Sequence, residues 1–297
     1  MSVTPIAPDV GPAGAPPGNG SLIGRIWRDP NGRIGLVLTA VLLIVGACGA
    51  LGFLPHDPLD QFPDSRNQPP SGTYWFGSDQ FGRDIAARVA AGIWTSLRVS
   101  VVAVAIAAVV GSALGICAGF FGGWLDQIIS RFIEVLFAFP AILLALAVVS
   151  ALGAGWQNTA IAIAIVYTPI FARVSRGPTL GVAKAEYIKA QRVLGIPTWR
   201  VLLRHVLPNV SAPIVVQITL ALSWALLTES ALSFLGLGTQ PPEPSLGLMV
   251  SDAQNTITSQ WWTMAFPAGA IVIAVIALNL LGDGLRSALD PRRESGR

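Results

Sequence analysis

The sequence predicts an all-α integral membrane protein with six transmembrane helices, and three observations lead to that prediction. Of the 297 residues, 53% are hydrophobic and only 12% are charged, whereas charged residues make up about 25% of a soluble domain. Six segments are apolar over roughly the 20 residues that a helix needs to cross a bilayer. Basic residues are concentrated on one side of these segments, which is typical of multi-pass membrane proteins.

The predicted elements follow from these apolar segments in chain order. The transmembrane segments are residues 34–54, 98–120, 128–150, 157–175, 210–233 and 264–284. Residues 1–33 are predicted to be an N-terminal tail, disordered over its first 20 residues because these are rich in Pro, Gly and Ala and lack apolar periodicity. Residues 55–97 are predicted to be an external loop with an interfacial helix, and residues 289–297 a C-terminal tail.

The basic residues predict which side of the membrane is the cytoplasm. Fourteen of the nineteen lie before the first segment, between the fourth and fifth segments, or after the sixth. The connection 234–262 contains none. Because Lys and Arg are enriched in cytoplasmic loops, we expect both termini to be cytoplasmic in a multi-pass protein of the inner or plasma membrane.

Several function classes are disfavoured by the residue types present. The two cysteines, Cys48 and Cys117, lie in apolar segments, so neither a disulfide framework nor a Cys-rich metal site is expected. The only lysines, Lys184 and Lys189, are not part of a GxxxxGK[ST] phosphate-binding loop. We therefore expect no cofactor on this chain, and if ATP drives the protein, another chain binds the ATP.

The histidines also argue against an enzyme. His56 and His205 are the only two in the chain, and no pairing of a nucleophile with a base can be assembled around them. We predict that His56 is an exposed loop residue and that His205 contributes to local packing.

The end of the external loop predicts a capped helix that lies at the membrane interface. Asp84 is a suitable N-cap residue, and it is followed by apolar positions at intervals of four, namely Ile85, Val89 and Ile93. Gly77 and Gly82 suit tight turns before that helix. From the residues alone, an ordinary interfacial helix accounts for this pattern.

The same stretch, YWFGSDQFGRDIAARVAAGIWTSL, resembles the signature GTDxxGRDxxSRxxxGxxxSL of the C-type permease in dipeptide, oligopeptide and nickel ABC importers. The residues that we assign to this signature are Gly77, Asp79, Gly82, Arg83 and Asp84. Tyr74 replaces the usual His of the family, and Ser78 replaces the usual Thr.

The second and third segments carry packing signals. Glycines repeat every four residues at Gly111, Gly115 and Gly119. Such a stripe lets another helix approach closely. Further along, Arg131 and Glu134 are three residues apart, which favours an ion pair on one helix face, and Pro140 predicts a kink in the third helix.

Residues 183–209, which we call the knuckle, form a long polar segment between the fourth and fifth apolar segments. Two short amphipathic helices are predicted around Gly195-Ile196-Pro197, because Gly ends helices and Pro suits a first helical turn. The first helix has one apolar face made of Tyr187, Ala190 and Leu194. The second has an apolar face made of Trp199, Leu202, Leu203 and Val206, with Arg200 and Arg204 on the outer side. A pair of helices resting on lipid headgroups would show the same pattern.

The knuckle also resembles the "EAA" loop of ABC importer permeases. Ala190, Gly195, Leu207 and Pro208 stand where that pattern requires them. Lys189 replaces the leading Glu of the pattern, Gln191 replaces a small residue and His205 replaces Ile. The resemblance implies an ATPase-coupling loop that consists of Glu186, Tyr187, Lys189, Ala190, Arg192, Gly195, Ile196, Pro197, Trp199, Arg200, Arg204, His205, Leu207 and Pro208.

The outer end of the fifth segment places Glu229 within an apolar helix. An ionisable residue there is a functional candidate, and a hydrogen-bonding role at the helix end is the alternative. The stretch resembles the family segments ExxLSFLGLG and PPxPxWG, with Leu246 in place of Trp. The resemblance implies an external gate or binding-protein contact formed by Glu229, Phe234, Pro241, Pro242 and Pro244.

Taken over residues 73–288, the motifs identify the chain as similar to the C-type permease of a peptide ABC importer, with a MetI-like bundle. The resemblance implies a five-helix core at 98–288 that includes a coupling loop at 177–209. It also implies a B-type permease partner in a heterodimer, one or two ATPase subunits and an extracytoplasmic substrate-binding protein, but no nucleic acid. Nickel or glutathione are alternative cargoes. A stand-alone secondary transporter is the rival class, and the absence of an internal repeat disfavours it.

Overall fold

The computed structural model describes residues 22–289, apart from the side chains of Leu22 and Arg192. The predicted disordered N-terminal tail and the tail after Leu289 lie outside this range. The helices are α1 (Leu22–Arg28), α2 (Pro30–Ala50), α3 (Ile85–Phe121), α4 (Gly123–Phe137), α5 (Ala141–Leu152), α6 (Trp156–Ala183), α7 (Glu186–Val193), α8 (Thr198–Val201), α9 (Leu207–Phe234), α10 (Leu246–Asp252) and α11 (Trp262–Leu289). The described residues form no named strand, and this confirms the predicted all-α membrane fold.

The first transmembrane helix begins earlier than predicted. Asp29 accepts a hydrogen bond from the Gly32 backbone N–H at 3.0 Å, and this cap starts α2 at Pro30 rather than at residue 34. The preceding residues, assigned to the tail, contain the short helix α1. Ile26 of α1 is buried against Leu285 and Ala288 of α11, and this apolar contact explains why α1 is ordered.

The prediction of a separate interfacial helix before the second transmembrane segment is wrong. Helix α3 runs without interruption over 37 residues, or about 55 Å at 1.5 Å per residue. The chain contains no proline between Asp84 and Phe121 to stop it. The one charged residue at the predicted junction, Arg98, is accommodated by stacking at 4.3 Å over the Trp156 ring.

The third transmembrane segment is broken rather than kinked. Helices α4 and α5 meet at an angle of 94°, with Pro140 just before α5. Proline disfavours helical backbone in the residue that precedes it, which ends α4. At 12 residues, or about 18 Å, α5 is too short to cross a hydrocarbon layer of about 30 Å by itself. The described residues therefore contain five helices of spanning length, or six spans if α4 and α5 count as one.

The fourth and fifth segments extend further into the knuckle than predicted. Helix α6 continues to Ala183 and contains Pro169 and Pro178 within it. Helix α8, a π-helical turn at Leu202–Val206 and α9 follow each other without a break. They form one rod of 37 residues, which we call the α8–α9 rod. The predicted coupling loop 177–209 thus shrinks to residues 184–197 between two long helices.

The centre of the bundle is the contact between α3 and α6, which run parallel. The glycine stripe of α3 faces the α6 backbone: a Cβ atom at Gly111, Gly115 or Gly119 would meet the carbonyl oxygens of Thr168, Ala172 and Arg176 respectively. The predicted close approach of another helix is therefore present. The knuckle lies at one end of these helices. Residues 51–84 and 235–261, which we call the cap, lie at the other.

Candidate functional site

The turn at the middle of the knuckle has the predicted backbone. Gly195 has φ of +70°, and the Ile196 N–H donates to the Gln191 carbonyl oxygen at 3.1 Å. A left-handed glycine with this six-residue hydrogen bond is the Schellman ending of a helix. Pro197 lies one residue earlier than predicted, because it is the N-cap residue of α8 rather than part of its first turn.

Three buried side chains attach the knuckle to the bundle. Ile188 on α7, Val201 on α8 and Val206 at the end of the π-helical turn are at most 1% exposed and belong to the main hydrophobic core. Ile188 and Val201 lie on neither of the predicted apolar faces. Of the residues on those faces, Val206 is buried in the core and Leu202 is partly buried against it.

Most apolar residues of the two predicted faces point outward, and so does Val193, which belonged to neither predicted face. Val193 is 88% exposed, Leu194 76% and Trp199 60%. Other exposed apolar residues of the knuckle are Tyr187, Ala190, Leu203 and Leu207. Arg200 and Arg204 are also exposed, as predicted, and Pro208 is the second residue in the exposed first turn of α9. Contiguous exposed apolar groups of this kind mark interaction surfaces. We call this set the knuckle surface.

The three departures from the EAA pattern have partners within the knuckle. Nε2 of Gln191 lies 3.1 Å from Nε2 of His205, which links α7 to the π-helical turn and agrees with the packing role predicted for His205. Nζ of Lys189 lies 2.9 Å from Oε1 of Glu186 on the same helix. Two of the three departures, Gln191 and His205, therefore contact each other. Arg192 lies on α7, but its side chain is outside the described part.

At the cap, the signature residues shape the entry to α3. Asp84 caps the helix, since its Oδ1 accepts from the Ala86 N–H at 2.8 Å. Its other oxygen lies 2.8 Å from Nδ1 of His56, whose ring stacks on Tyr74 with centroids 5.0 Å apart. His56 lies in a loop as predicted, but its side chain is only 20% exposed, so the predicted exposure is wrong. Its ring contacts Asp84, which is 28 positions away, and Tyr74, and local sequence patterns predict neither contact.

The remaining signature residues close the turn before α3. Oδ1 of Asp79 accepts from the backbone N–H groups of Phe81 and Arg83 at 2.8 and 3.0 Å, and its Oδ2 accepts from Arg83 Nε at 2.6 Å. Gly77 and Gly82 have φ of +80° and +78°, as the predicted turns require. A Cβ atom at Gly82 would meet the Phe62 carbonyl oxygen. These residues build the cap structure.

Charged side chains connect this turn to α10, from the buried Arg83 to Asp252, whose side chain is 42% exposed. Arg88 is 2% exposed, and its Nη1 donates to the Pro58 carbonyl oxygen at 3.0 Å. Nη2 of Arg83 lies 3.9 Å from Oδ2 of Asp252. Burial raises the pKa of the Asp252 carboxyl, while the nearby Arg83 and Arg88 act in the opposite direction. The contact between Arg83 and Asp252 thus connects residues 51–84 of the cap to residues 235–261.

Glu229 is fully buried and faces serines. Its Oε1 accepts from the Ser233 hydroxyl at 2.7 Å, and its Oε2 lies 3.4 Å from the Ser230 hydroxyl. This arrangement fits the alternative in which Glu229 is a hydrogen-bonding partner near the helix end. Of the other residues assigned to an external gate, Pro241 and Pro242 are exposed, Phe234 is partly buried and Pro244 is buried.

A second ion pair was missed beside the predicted one. Arg131 Nη1 and Glu134 Oε2 are 2.9 Å apart, as predicted from their spacing. Asp126 on α4 also accepts two hydrogen bonds from Arg176 on α6, at 2.6 and 2.7 Å. These residues are separated by 50 positions, and helical spacing relates only near neighbours.

A bundle of apolar helices long enough to cross a bilayer, with a helix-turn-helix knuckle at one end, is the architecture of a multi-pass membrane protein. Residues 111–295 match the family described as "Binding-protein-dependent transport system inner membrane component". The chain belongs to this family and is a permease subunit of an ABC importer, as its motifs predicted.

The relatives extend the match to most of the chain. It is 46% identical over 269 residues to the glutathione transport system permease protein GsiD of Escherichia coli, covering 90% of this chain and 89% of that protein. It is 42% identical over 262 residues to the dipeptide transport system permease protein DppC of Alkalihalophilus pseudofirmus, covering 88% and 86%.

A solved structure supports the predicted MetI-like bundle. An inward-facing structure of the MetNI methionine ABC transporter aligns with a TM-score of 0.57 and 18% identity, covering 68% of this chain and 96% of that chain. At this identity the alignment shows a shared fold and nothing about cargo.

Proposed function

We propose that this permease forms half of the pore of an importer for small peptides, a class that includes dipeptides, oligopeptides and glutathione. The relatives named for dipeptide and for glutathione transport support this class, because both cargoes are built from peptide groups. A B-type permease completes the pore, and an extracytoplasmic binding protein delivers the cargo. One or two separate ATPase subunits hydrolyse ATP, and no catalytic residue belongs to this chain.

The exposed apolar knuckle surface is the observation that carries the proposed coupling role. Burying apolar side chains yields about 25 cal/mol per Å², so Val193, Leu194 and Trp199 favour a partner that covers them. Arg200 and Arg204 border these residues and suit a partner groove with acidic groups. ATP-driven closure of the ATPase pair would push on this surface.

The rigid attachment of the knuckle supports transmission of that push. The buried anchors Ile188 and Val206 connect the surface to the core, and the α8–α9 rod continues from it through the bundle without a break. A displacement of the knuckle would therefore move a transmembrane helix directly.

The distribution of charge supports a cytoplasmic knuckle. Lys184, Lys189, Arg200 and Arg204 all lie at this end, and basic residues are enriched on the cytoplasmic side. With this orientation the cap faces outward, and both termini are cytoplasmic.

A pair of matched variants tests the coupling role. Leu194→Asp places a charge on the knuckle surface, and Phe53→Asp changes a residue of similar exposure, 76% against 74%, at the cap. We expect Leu194→Asp to weaken ATPase binding at least tenfold, which corresponds to about 1.4 kcal/mol, and Phe53→Asp to leave it unchanged. Co-purification of the ATPase with the tagged permease, and ATP hydrolysis by the eluate, are the measurements.

The same pair separates a partner from a lipid surface. If the knuckle rests on headgroups instead, Leu194→Asp will retain the ATPase at the level of Phe53→Asp, and the coupling role is then wrong. The cargo class is tested separately by uptake of a radiolabelled dipeptide and of glutathione into liposomes that contain the whole importer. Uptake of neither would contradict a peptide cargo.

A further inference from the structure

A cavity of about 380 Å³ opens on the side of the bundle, where the break between α4 and α5 faces α6 and α9. Most of its wall is apolar and includes Phe137, Phe139 and Ile170. Three lining residues carry hydrogen-bonding groups, namely Tyr167, Gln217 and Trp224. The broken helix thus leaves a recess at the level of the membrane.

The polar groups form a stripe along one face of α9. Gln217, Trp224 and Thr228 are separated by seven and four residues, which places them on the same helix face. The hydroxyls of Tyr167 and Thr228 lie 3.2 Å apart and extend the stripe across to α6. From Gln217 to Thr228 the stripe covers about 16 Å of helix.

Gln217 makes this face unsuited to lipid. It lies near the middle of the 37-residue α8–α9 rod and is partly buried. Among the described residues, no group forms a hydrogen bond with its side chain. An amide without partners in hydrocarbon costs several kcal/mol. Trp224 is 62% exposed on the same face. These two observations favour contact of this stripe with water, or with a polar molecule that replaces water, over contact with lipid.

We propose that this face of α9, with Gln217 at its centre, lines the substrate path and contacts peptide groups as they pass. The inference rests on the proposed peptide importer and identifies the part of this chain that meets the cargo. The Gln217 amide can donate to a peptide carbonyl and accept from a peptide N–H. Trp224 and Phe137 provide apolar surface for cargo side chains of differing shape.

The lining also limits the cargo. No carboxylate, imidazole or thiol is among the residues that line the described cavity. Divalent transition metals bind in proteins through such groups, so the described lining of this cavity offers no ligand to a bare nickel ion. An organic solute with amide groups matches the lining.

Thiol accessibility tests this inference in the whole importer in lipid nanodiscs. The background carries Cys48→Ala and Cys117→Ala, which removes both native thiols. In it, Gln217→Cys reports on the stripe. Val215→Cys is the matched control, two residues away on α9, 39% exposed and outside the cavity lining. We expect a charged, water-soluble thiol reagent to modify residue 217 at least tenfold faster than residue 215.

A lipid-soluble maleimide must modify both thiols, which shows that each is present and reactive. Similar slow rates with the charged reagent at the two positions would overturn the inference and would mean a lipid-facing or dry subunit contact. The rate of thiol modification at residue 217 does not depend on whether the knuckle couples to the ATPase. A water-accessible residue 217 combined with an unaffected Leu194→Asp variant would refute the coupling role alone, and the reverse pattern would refute the substrate path alone.

Discussion

The cap and the knuckle each contain a recognisable motif, but the two motifs act through different physics. At the cap, Asp79, Arg83 and Asp84 are engaged by neighbours, and Gly82 lies against a backbone carbonyl. At the knuckle, no atom lies within 4 Å of where a Cβ of Gly195 would be. The residues of the cap motif contact other parts of the same chain and stabilise its fold. The residues of the knuckle motif are exposed and available to a partner.

This contrast teaches that a motif does not by itself mark a contact site. A buried signature residue is constrained by the fold of its own chain, and its substitution destabilises that fold. An exposed apolar residue such as Val193 gains nothing within the isolated chain, so its role depends on a partner. Substitutions at the two ends should therefore separate stability from coupling.

The largest expected effect is loss of stability at the cap. Gly82 and Gly236 have nearly the same φ, +78° and +79°, but only Gly82 lacks room for a Cβ atom. We expect Gly82→Ala to cost about 3 kcal/mol or more, from backbone strain and collision with Phe62. Gly236→Ala should cost about 1 to 2 kcal/mol from strain alone. Thermal unfolding of the purified variants in detergent measures both, and equal losses would contradict the close approach.

A smaller and qualitatively different effect is expected at the knuckle. Gly195→Ala forces a left-handed alanine, at a cost of about 1 to 2 kcal/mol, in a turn with open space around it. We expect the melting temperature of the bundle to change little while ATP hydrolysis by the assembled importer falls. Gly181→Ala, which is also sterically open but lies within helix α6, is the control and should affect neither. If the importer with Gly195→Ala hydrolysed ATP at the unmodified rate, the proposed difference between a stabilising cap and a coupling knuckle would be wrong.

The smallest effect is expected for the contact between Gln191 and His205 inside the knuckle. Gln191→Ala and His205→Ile each restore the residue type of the family pattern but leave the other partner without its contact. A hydrogen bond of this kind contributes about 0.5 to 1.5 kcal/mol, so we expect a coupling free energy of that size in a double-mutant cycle. Hydrogen exchange of the α7 backbone amides measures it. Strictly additive changes would show that the 3.1 Å contact carries no energy.

Local patterns predicted much of the fold. Five of the six apolar segments lie in single helices of spanning length, and the Asp84 cap, the glycine stripe of α3 and the Gly195 turn are present. The third segment is the broken pair α4 and α5. Each correctly predicted feature depends on residues that are close in sequence or on a backbone conformation that only glycine adopts easily. Boundaries were less accurate, because nothing in hydropathy separates a spanning helix from its continuation outside the membrane, as in α3 and the α8–α9 rod.

The candidate site was predicted in outline and corrected in detail. The knuckle and its glycine were predicted correctly, but most residues of the predicted apolar faces point away from the core, with Val206 and Leu202 as the exceptions. Periodicity shows that apolar residues share a face and does not show whether that face meets the core or a partner. Ile188 is buried in the main hydrophobic core, which also contains residues of α6 and of the α8–α9 rod.

The sequence by itself determined the membrane class, the positions of the turns and the family, because these depend on composition, glycine and proline chemistry, and short motifs. Only the tertiary structure decided the partners of Asp126, His56 and Gln191, each of which lies on a different element from its partner. It also decided that Gln217 faces an open recess. Burial and pairing over long separations depend on how the helices pack together, and no local pattern encodes that arrangement.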